Sequence, residues 1–285
     1  MTLNGIQNKA MLVRLSISQW TARRYDRKVS DQVASDFAAK TDAGRYNKML
    51  ISQDAIGRIA RIVSGARDWH YTNTLPWQDD GQRILPAANY LDYTRKMSMF
   101  KSKFNDVVAE FIDAYPSLVE SAKLRLGKMW VATDYPPVSV VKSKFGFDIS
   151  VMPIPSGDDF RVCINDSEVK RIRADIEASV HKSIHEAMTD LWTRLQTAVS
   201  NMAMRLSDKD AIFRDTLVGN LRDLVVLLPK LNLTDDPKLE AIRKDIEAKL
   251  VSVAPQTLRD NKEVRAQVAS DAQDILDAMS GYIGQ

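Results

Sequence analysis

The longest regular apolar repeat lies in the second half of the chain and limits what the chain can fold into. From residue 166 to residue 206 there is no proline or glycine, and apolar residues recur at steps of three and four. They are Val169, Ile172, Ile176, Val180, Ile184, Met188, Leu191, Leu195, Val199, Met202 and Leu206. Such a heptad-like seam is typical of one long helix that packs lengthwise on another helix, as in a coiled coil. It usually lies in the core of its own chain, and self-assembly is the alternative.

A second long helix is predicted to begin at Ala87. Its apolar stripe consists of Leu91, Met97, Phe100, Phe104, Val107, Val108, Phe111 and Ile112. Because proline has no amide hydrogen, Tyr115-Pro116 is expected to end or kink this helix, and Ser117 to cap a continuation to about Trp130. The two long helices are predicted to pair as an antiparallel helical hairpin, a stalk.

A β-hairpin is predicted at about residues 138–165, where the two long helices join. Phe145, Phe147, Ile149 and Val151 alternate with polar or small residues, and Phe160, Val162 and Ile164 alternate again after a turn at residues 155–159. Two such runs around a Gly/Asp turn are typical of a hairpin. Because one hairpin is barely stable alone, its apolar face is expected to pack on the helices, on a short strand containing Val13, Leu15 and Ile17, or on another subunit.

The remaining elements complete a mainly α fold. Helices are predicted at residues 30–39 and 51–63, the second ended by Gly65, and at residues 210–228, 237–253 and 262–279, with Pro229 and Pro255 as stops. The predicted architecture is a long antiparallel helical hairpin with a central β-hairpin and a C-terminal helical bundle. Its regions are a basic part at 1–86, the helical hairpin at 87–208 and the C-terminal helices at 209–285.

The distribution of charge is uneven. Residues 1–105 carry 17 Lys and Arg against 9 Asp and Glu, whereas residues 106–285 carry 23 against 28. The basic part would attract the acidic part, within or between chains, or an anionic partner such as nucleic acid. Cys163 is the only cysteine, and no apolar run is long enough for a signal peptide or a membrane span. A cytoplasmic protein without membrane contact is expected.

No pattern of residues points to an enzyme or to a bound cofactor. The sequence has no Gly-x-Gly-x-x-Gly, Walker or Gly-x-Ser-x-Gly motif. The pairs Asp79-Asp80, Asp158-Asp159 and Asp235-Asp236 lie in turn-like contexts, where aspartate is favoured for turn geometry. Cys163 has no recognisable base beside it and is expected to be inert.

One weak metal motif lies on the long apolar helix. Glu177, His181 and His185 are spaced by four residues, so all three lie on one helix face, where they could ligate a metal ion. The glutamate that follows the first histidine in zinc proteases is missing. A solvated helix face is the preferred interpretation, and no metal is predicted.

Two other clusters are candidates for binding. Aromatic and basic residues alternate near the N-terminus, where the cations would neutralise phosphates and the aromatic rings would stack on unpaired bases. This nucleic-acid candidate consists of Trp20, Arg23, Arg24, Tyr25, Arg27 and Lys28. A loop rich in aromatic residues follows at 68–86, and such loops are either anchored in the core or used for recognition. Its partner-binding candidates are Trp69, His70, Tyr71, Trp77 and Arg83.

The same loop carries a resemblance to a known family. Its residues are Thr74-Leu75-Pro76-Trp77, then Gly81, Arg83 and Leu85-Pro86, followed by Tyr90, Phe104, Phe111, Tyr115-Pro116 and Tyr135-Pro136. With the run from Phe145 to Phe160, they resemble uncharacterised proteins of phages and integrative conjugative elements. Genes of this family lie near recombination genes and near AAA+ ATPases of the MoxR/cobaltochelatase type.

The resemblance implies a cellular context and no catalytic residues. The leading hypothesis is a non-enzymatic phage or mobile-element accessory protein in the host cytosol. It would bind a protein partner, for which an AAA+ ATPase is the candidate, or assemble with copies of itself. The alternative hypothesis is a nucleic-acid-binding protein of phage recombination or replication.

Overall fold

The computed structural model describes residues 3–78, 80–160, 162, 165–208 and 214–281, and it confirms a mainly helical fold. The helices are α1 (Leu3–Gln7), α2 (Arg27–Asp36), α3 (Gln53–Thr72), α4 (Tyr90–Leu126), α5 (Val138–Lys142), α6 (Asp166–Ser207), α7 (Thr216–Leu231), α8 (Pro237–Ile246), α9 (Pro255–Asp260) and α10 (Lys262–Ser280). The strands are β1 (Ala10–Ser18), β2 (Arg23–Tyr25), β3 (Asn47–Met49), β4 (Leu75–Pro76), β5 (Gln82–Pro86) and β6 (Gly146–Met152). Short 3₁₀ turns follow β5 and α4, and a π-helical turn (Glu247–Val251) extends α8.

The chain divides into two compact units, each built from separate segments. Unit 1 comprises Met1–Arg14, Tyr71–Tyr93 and Ser150–Gln285, and unit 2 comprises Leu15–His70 and Thr94–Ile149. The three regions expected from the sequence are consecutive stretches, so they do not coincide with these units. Within the described residues, no helix combines the length and the apolar character needed to cross a membrane.

The core of unit 1 is built on the apolar seam of α6. Leu191, Leu195, Val199 and Met202 are fully buried, in a cluster with apolar side chains of α7, α8 and α10. The cap of α6 is Asn165, whose side chain accepts a hydrogen bond from the backbone N of Glu168 at 3.0 Å. α10 and α7 pack on this helix and cover its seam. The sequence analysis had predicted α4 as the helix that covers it. The predicted stalk is not confirmed, and the C-terminal helices form one core with α6.

The strand pairing in the sheet differs from the predicted β-hairpin. The strand order is β4-β5-β1-β6, with β5 antiparallel to both β4 and β1. β6 is the predicted first strand, but its neighbour is β1, and Phe160 and Val162 are not in a strand. Cys163 and Ile164 lie outside the described residues.

Gly146 provides the physical reason for this pairing. A Cβ atom added to Gly146 would lie 2.8 Å from Ser18 Oγ, so the glycine permits a close approach to β1. The hairpin of the sheet is β4–β5 instead, inside the segment that the sequence predicted to be a loop. Its turn contains Gly81 with φ of +83°, a conformation in which glycine avoids a steric clash.

Three helices continue past the residues expected to stop them. α3 runs through Gly65, which lies against Phe100: a Cβ atom at Gly65 would be 3.3 Å from that ring. α4 runs through Pro116, and α7 continues past Pro229 to Leu231, which is fully buried. Tertiary packing therefore outweighs the backbone hydrogen bond that a proline removes.

Aromatic rings dominate the core of unit 2. The Trp20 ring lies 5.7 Å from the Tyr115 ring, and Phe104 lies 5.6 Å from Phe147, measured between centroids. Phe111 joins the two groups, since its ring is within 6.4 Å of Trp20 and 5.7 Å of Phe145. Unit 2 also contains the two-stranded ribbon β2–β3, whose strands precede and follow α2 in the chain.

Candidate functional site

The candidate site is an exposed arm of unit 2, defined as residues 23–47: β2, α2, the loop 37–46 and the first residue of β3. Ser30 is the one buried residue of α2. The apolar residues of the arm face outward, since Val33 is 48% exposed and Phe37 is 80% exposed. The arm therefore contributes little to the core and is held in place by polar contacts at its base.

A buried lysine forms the base of the arm. Lys48 is 4% exposed, and its ammonium lies 2.7 Å from Asp134 and 3.2 Å from Asp26. It also donates a hydrogen bond to the carbonyl oxygen of Met129 at 2.8 Å. Burial alone would lower the pKa of Lys48, but the hydrogen bonds to Asp134 and Asp26 outweigh burial and raise it. The charge is thus fully compensated, which a buried ammonium requires.

Asp26 connects this network to α2. Its carboxylate accepts a hydrogen bond from the backbone N of Val29, which caps the helix, and this bond lowers the pKa of Asp26, with Lys48 adding to the effect. The backbone N of Asp26 donates to the carbonyl oxygen of Tyr46 at 3.0 Å. The Ser30 hydroxyl donates to the carbonyl of Asp26 and accepts from the backbone N of Tyr46. Both ends of the arm are therefore fixed to each other.

A groove runs between α2 and the loop 37–46. Its volume is about 320 Å³, and its walls include Val33, Phe37, Lys40, Arg45 and Tyr46. The guanidinium of Arg45 lies 5.9 Å from the centre of the Tyr25 ring. The groove is therefore apolar inside, with aromatic rings and cations at its rim.

The six residues predicted to contact nucleic acid differ in their burial and in their ion pairs. Trp20 is 8% exposed and packs in the core, so the expectation that it stacks on bases is wrong. Arg24 pairs with Asp134 at 3.5 Å and Arg27 with Asp31 at 3.5 Å. The other three residues are exposed on the arm; they are Arg23, Tyr25 and Lys28.

The predicted partner-binding residues are mostly structural. Trp77 is 5% exposed in the core of unit 1, and His70 is 3% exposed. Trp69 is half-buried, and Lys96 Nζ lies 5.7 Å from its ring. Tyr71 is 55% exposed but is covered on one face by the Arg83 guanidinium at 4.9 Å. These positions do not support the interpretation of residues 68–86 as a recognition loop, and Trp77 is anchored in the core.

Arg83 is held by the turn between α3 and β4. Its Nε donates to Thr74 Oγ1 at 2.7 Å, and its Nη2 donates to the carbonyl oxygen of Thr74 at 3.1 Å. Burial lowers the pKa of Arg83, and the nearby Arg194 lowers it further. These bonds give Arg83 a structural role.

The weak metal candidates remain on the surface. Glu177, His181 and His185 are all exposed along α6. Across the part of the chain that the structure describes, no three His, Cys, Asp or Glu side chains lie close enough to hold a metal ion.

The residues that sequence reasoning missed are in the loop after α2. Phe37, Lys40, Arg45 and Tyr46 line the groove, and the sequence treated this stretch only as the end of a polar helix. One signal was present: Val29, Val33 and Phe37 recur every four residues in an otherwise polar segment. Such a short apolar row leaves Val33 and Phe37 exposed here.

Comparison of the chain with protein-family models, with curated proteins and with solved structures finds no match.

Proposed function

We propose that the protein is a non-enzymatic accessory protein of a phage or mobile element that binds a protein partner through the arm of unit 2. The exposure of Phe37, at 80%, directly after a helix with one buried residue carries this proposal. Large aromatic side chains are common anchors of protein interfaces, because burying one removes much apolar surface from water. The groove beside Phe37 would receive an apolar side chain of the partner.

The charges of the arm favour a protein over a polyanion. Six cations and four carboxylates alternate along residues 23–47. They are Arg23, Arg24, Arg27, Lys28, Lys40 and Arg45, with Asp26, Asp31, Asp36 and Asp42. A surface of mixed sign around an apolar centre resembles the polar rim of a protein interface. An AAA+ ATPase in the host cytosol is the partner that the family resemblance favours, and a second copy of the chain is the alternative.

Site-specific crosslinking tests the proposal. A photoreactive phenylalanine analogue is placed at Phe37, with the same analogue at Leu124 as the matched control. Leu124 is also in unit 2 and is 91% exposed, but it lies outside the arm. In cells that carry the mobile element, we expect one discrete crosslinked protein from position 37 and none from position 124.

The identity of the crosslinked protein separates the outcomes. An AAA+ ATPase or another single protein supports the proposal, and a dimer of this chain supports self-assembly through the arm. The absence of any product at position 37, or equal products at both positions, would overturn the proposal.

Nucleic-acid binding is the second candidate, and the charge of unit 2 favours it. Unit 2 carries 19 Lys and Arg against 12 Asp and Glu, a formal charge of +7, whereas unit 1 carries 21 against 25. Tyr25, Lys40, Arg45 and Tyr46 are exposed together around the groove, as a single-stranded nucleic acid would require.

Salt dependence tests this second candidate. An oligothymidine is titrated with the protein at about 50 and 200 mM salt, and affinity that depends on phosphate contacts should fall steeply. The double substitution Lys40→Glu and Arg45→Glu should abolish that binding. Arg171→Glu, at an exposed position of α6 in unit 1, should leave it unchanged. Weak binding that is insensitive to both salt and the double substitution would exclude this function.

A further inference from the structure

A second groove of unit 2 lies apart from the arm, between the last third of α4 and residues 130–138. Its volume is about 410 Å³. Its walls are almost entirely aromatic rings, prolines and valines: Tyr115, Pro116, Val119, Trp130, Tyr135, Pro136, Pro137 and Val138, with Glu120, Lys123 and Ala132 completing the lining. This composition differs from that of the arm, where cations border the groove.

The aromatic walls are fixed from behind. The Trp130 ring stacks on the Tyr135 ring at 5.9 Å with 25° between the planes. The Tyr135 hydroxyl donates to the carbonyl oxygen of Leu50 at 3.1 Å, and the Tyr115 hydroxyl donates to that of Pro136 at 2.9 Å. Because these bonds anchor both tyrosines, a ligand would meet walls that are already ordered, which lowers the entropy cost of binding.

The indole of Trp130 adds a hydrogen-bond donor. Its Nε1 is shielded from solvent and has no hydrogen-bond partner among the described residues. A shielded N–H without an acceptor is unfavourable, and such groups are rare in folded proteins. Trp130 lines the groove, so the carbonyl oxygens of a bound segment would be the acceptors nearest to this donor.

The lining is poorly suited to a phosphate group. Lys123 is the one cation that lines the groove. Its ammonium already pairs with Glu120 at 2.7 Å and lies 5.2 Å from the centre of the Trp130 ring. A phosphate would therefore find no unpaired cation among the lining residues.

We propose that this groove binds an extended, proline-containing segment of a partner protein, with acidic residues beside the prolines. Polyproline segments are already extended, so they lose little conformational entropy, and they place proline rings against aromatic walls while their carbonyl groups stay free to accept. The acidic flanks would lie outside the groove itself, where the formal charge of +7 on unit 2 attracts them. The groove shares no lining residue with the groove of the arm, so either proposal can fail alone.

Peptide binding tests the inference on the full-length protein. The probe is a fluorescent peptide of about eight prolines flanked by glutamates, and the reference is a glycine–serine peptide of the same length and charge. We expect the proline peptide to bind with a Kd of about 10–100 μM, because short peptides bury a small area, and the reference peptide to bind at least about tenfold more weakly.

Two valines of the same short helix give matched variants. Val138 lines the groove and is 40% exposed, whereas Val140 is 44% exposed and lies outside the lining. Val138→Glu should weaken the proline peptide at least about tenfold, because it adds a charge of the same sign as the flanks, and Val140→Glu should leave the affinity unchanged. Trp130→Phe should weaken binding by a smaller factor, since the ring remains and the donor is lost.

Three results would overturn the inference. They are equal affinity for the two peptides, equal loss in the two valine variants, and displacement of the proline peptide by a single-stranded oligonucleotide. Circular dichroism of each variant shows whether the fold is retained, and the oligonucleotide competition separates this groove from a nucleic-acid site.

Discussion

Arg83 and Arg194 donate hydrogen bonds to the same backbone oxygen, the carbonyl of Thr74, at 3.1 Å and 3.0 Å. Arg194 also donates to the carbonyls of Tyr71 and Thr72, at the end of α3. Two guanidinium groups so close together repel each other, and Asp190, 2.7 Å from Arg194 Nε, offsets that repulsion. The turn from α3 into β4 is therefore clamped by two arginines that are far apart in the sequence.

Removing Arg194 should destabilise unit 1. Arg194→Ala deletes the donors to three backbone carbonyls, and we expect the free energy of unfolding to fall by about 1–3 kcal/mol. The control is Arg171→Ala on the same helix, whose ion pairs with Glu168 and Asp175 are exposed and should contribute under about 1 kcal/mol. Urea denaturation followed by circular dichroism measures both. Equal losses would show that the clamp has no energetic role.

Replacing Lys48 should destabilise the base of the arm. Lys48→Met leaves Asp26 and Asp134 without their shared cation, and we expect a loss of about 3–5 kcal/mol in unfolding free energy. The triple variant with Asp26→Asn and Asp134→Asn should recover much of that loss, because the uncompensated carboxylates are removed. Chemical denaturation of the two proteins provides the test, and a triple variant less stable than Lys48→Met would contradict it.

Acid should destabilise the base of the arm through Asp26. The pKa of Asp26 in the folded protein lies below its ordinary value of 3.8. Its contribution to stability is therefore complete above the ordinary pKa and is lost as the pH falls through the folded pKa. Asp26→Asn still accepts from Val29 and should make stability less dependent on pH as the pH falls below 3.8. Thermal unfolding at several pH values measures this dependence; identical slopes for wild type and Asp26→Asn would refute it.

The seam of α6 should behave as a core and not as an exposed interface. Leu195 is fully buried, so Leu195→Ala should cost about 2–5 kcal/mol of unfolding free energy, whereas Thr193→Ala on the exposed side should cost little. Equilibrium denaturation gives both values. A small loss for Leu195→Ala, together with a change of mass in light scattering, would show instead that the seam joins two chains.

Gly81, the glycine of the β4–β5 hairpin, should be hard to replace. Its φ of +83° strains any residue with a Cβ atom, so Gly81→Ala should destabilise by about 1–2 kcal/mol. Gly57, within α3, has open space at its Cβ position, and Gly57→Ala should stabilise by up to about 1 kcal/mol. Melting temperatures that move in opposite directions would support this assignment, and a neutral Gly81→Ala would refute it.

Local signals were sufficient for two helices of the C-terminal part. The sequence predicts helices at 237–253 and 262–279, and the structure has α8 with its π-helical extension and α10 at nearly those bounds. Their starts are determined by neighbouring residues: Asp236 accepts from the backbone N of Lys238, and Asn261 accepts from that of Glu263 and Val264. A cap acts within one turn of its helix, so a short stretch of sequence contains all the information needed.

Only the tertiary structure shows which segments that are distant in the sequence pack on each other. The alternation in Gly146–Met152 predicts a strand but cannot say that β1 is its neighbour, and the seam of α6 predicts a buried face but cannot distinguish α10 from α4. The same limit applies to the candidate site. Trp20 and Phe37 are both aromatic residues in polar surroundings, yet Trp20 meets the ring of Tyr115 while Phe37 meets solvent.

The sequence by itself therefore determined that the chain is mainly helical and where most of its helices lie. The tertiary structure decided which apolar faces meet and which aromatic side chains remain exposed. The physical reason is that caps and periodicity act over a few residues, whereas burial depends on every segment that packs around a side chain.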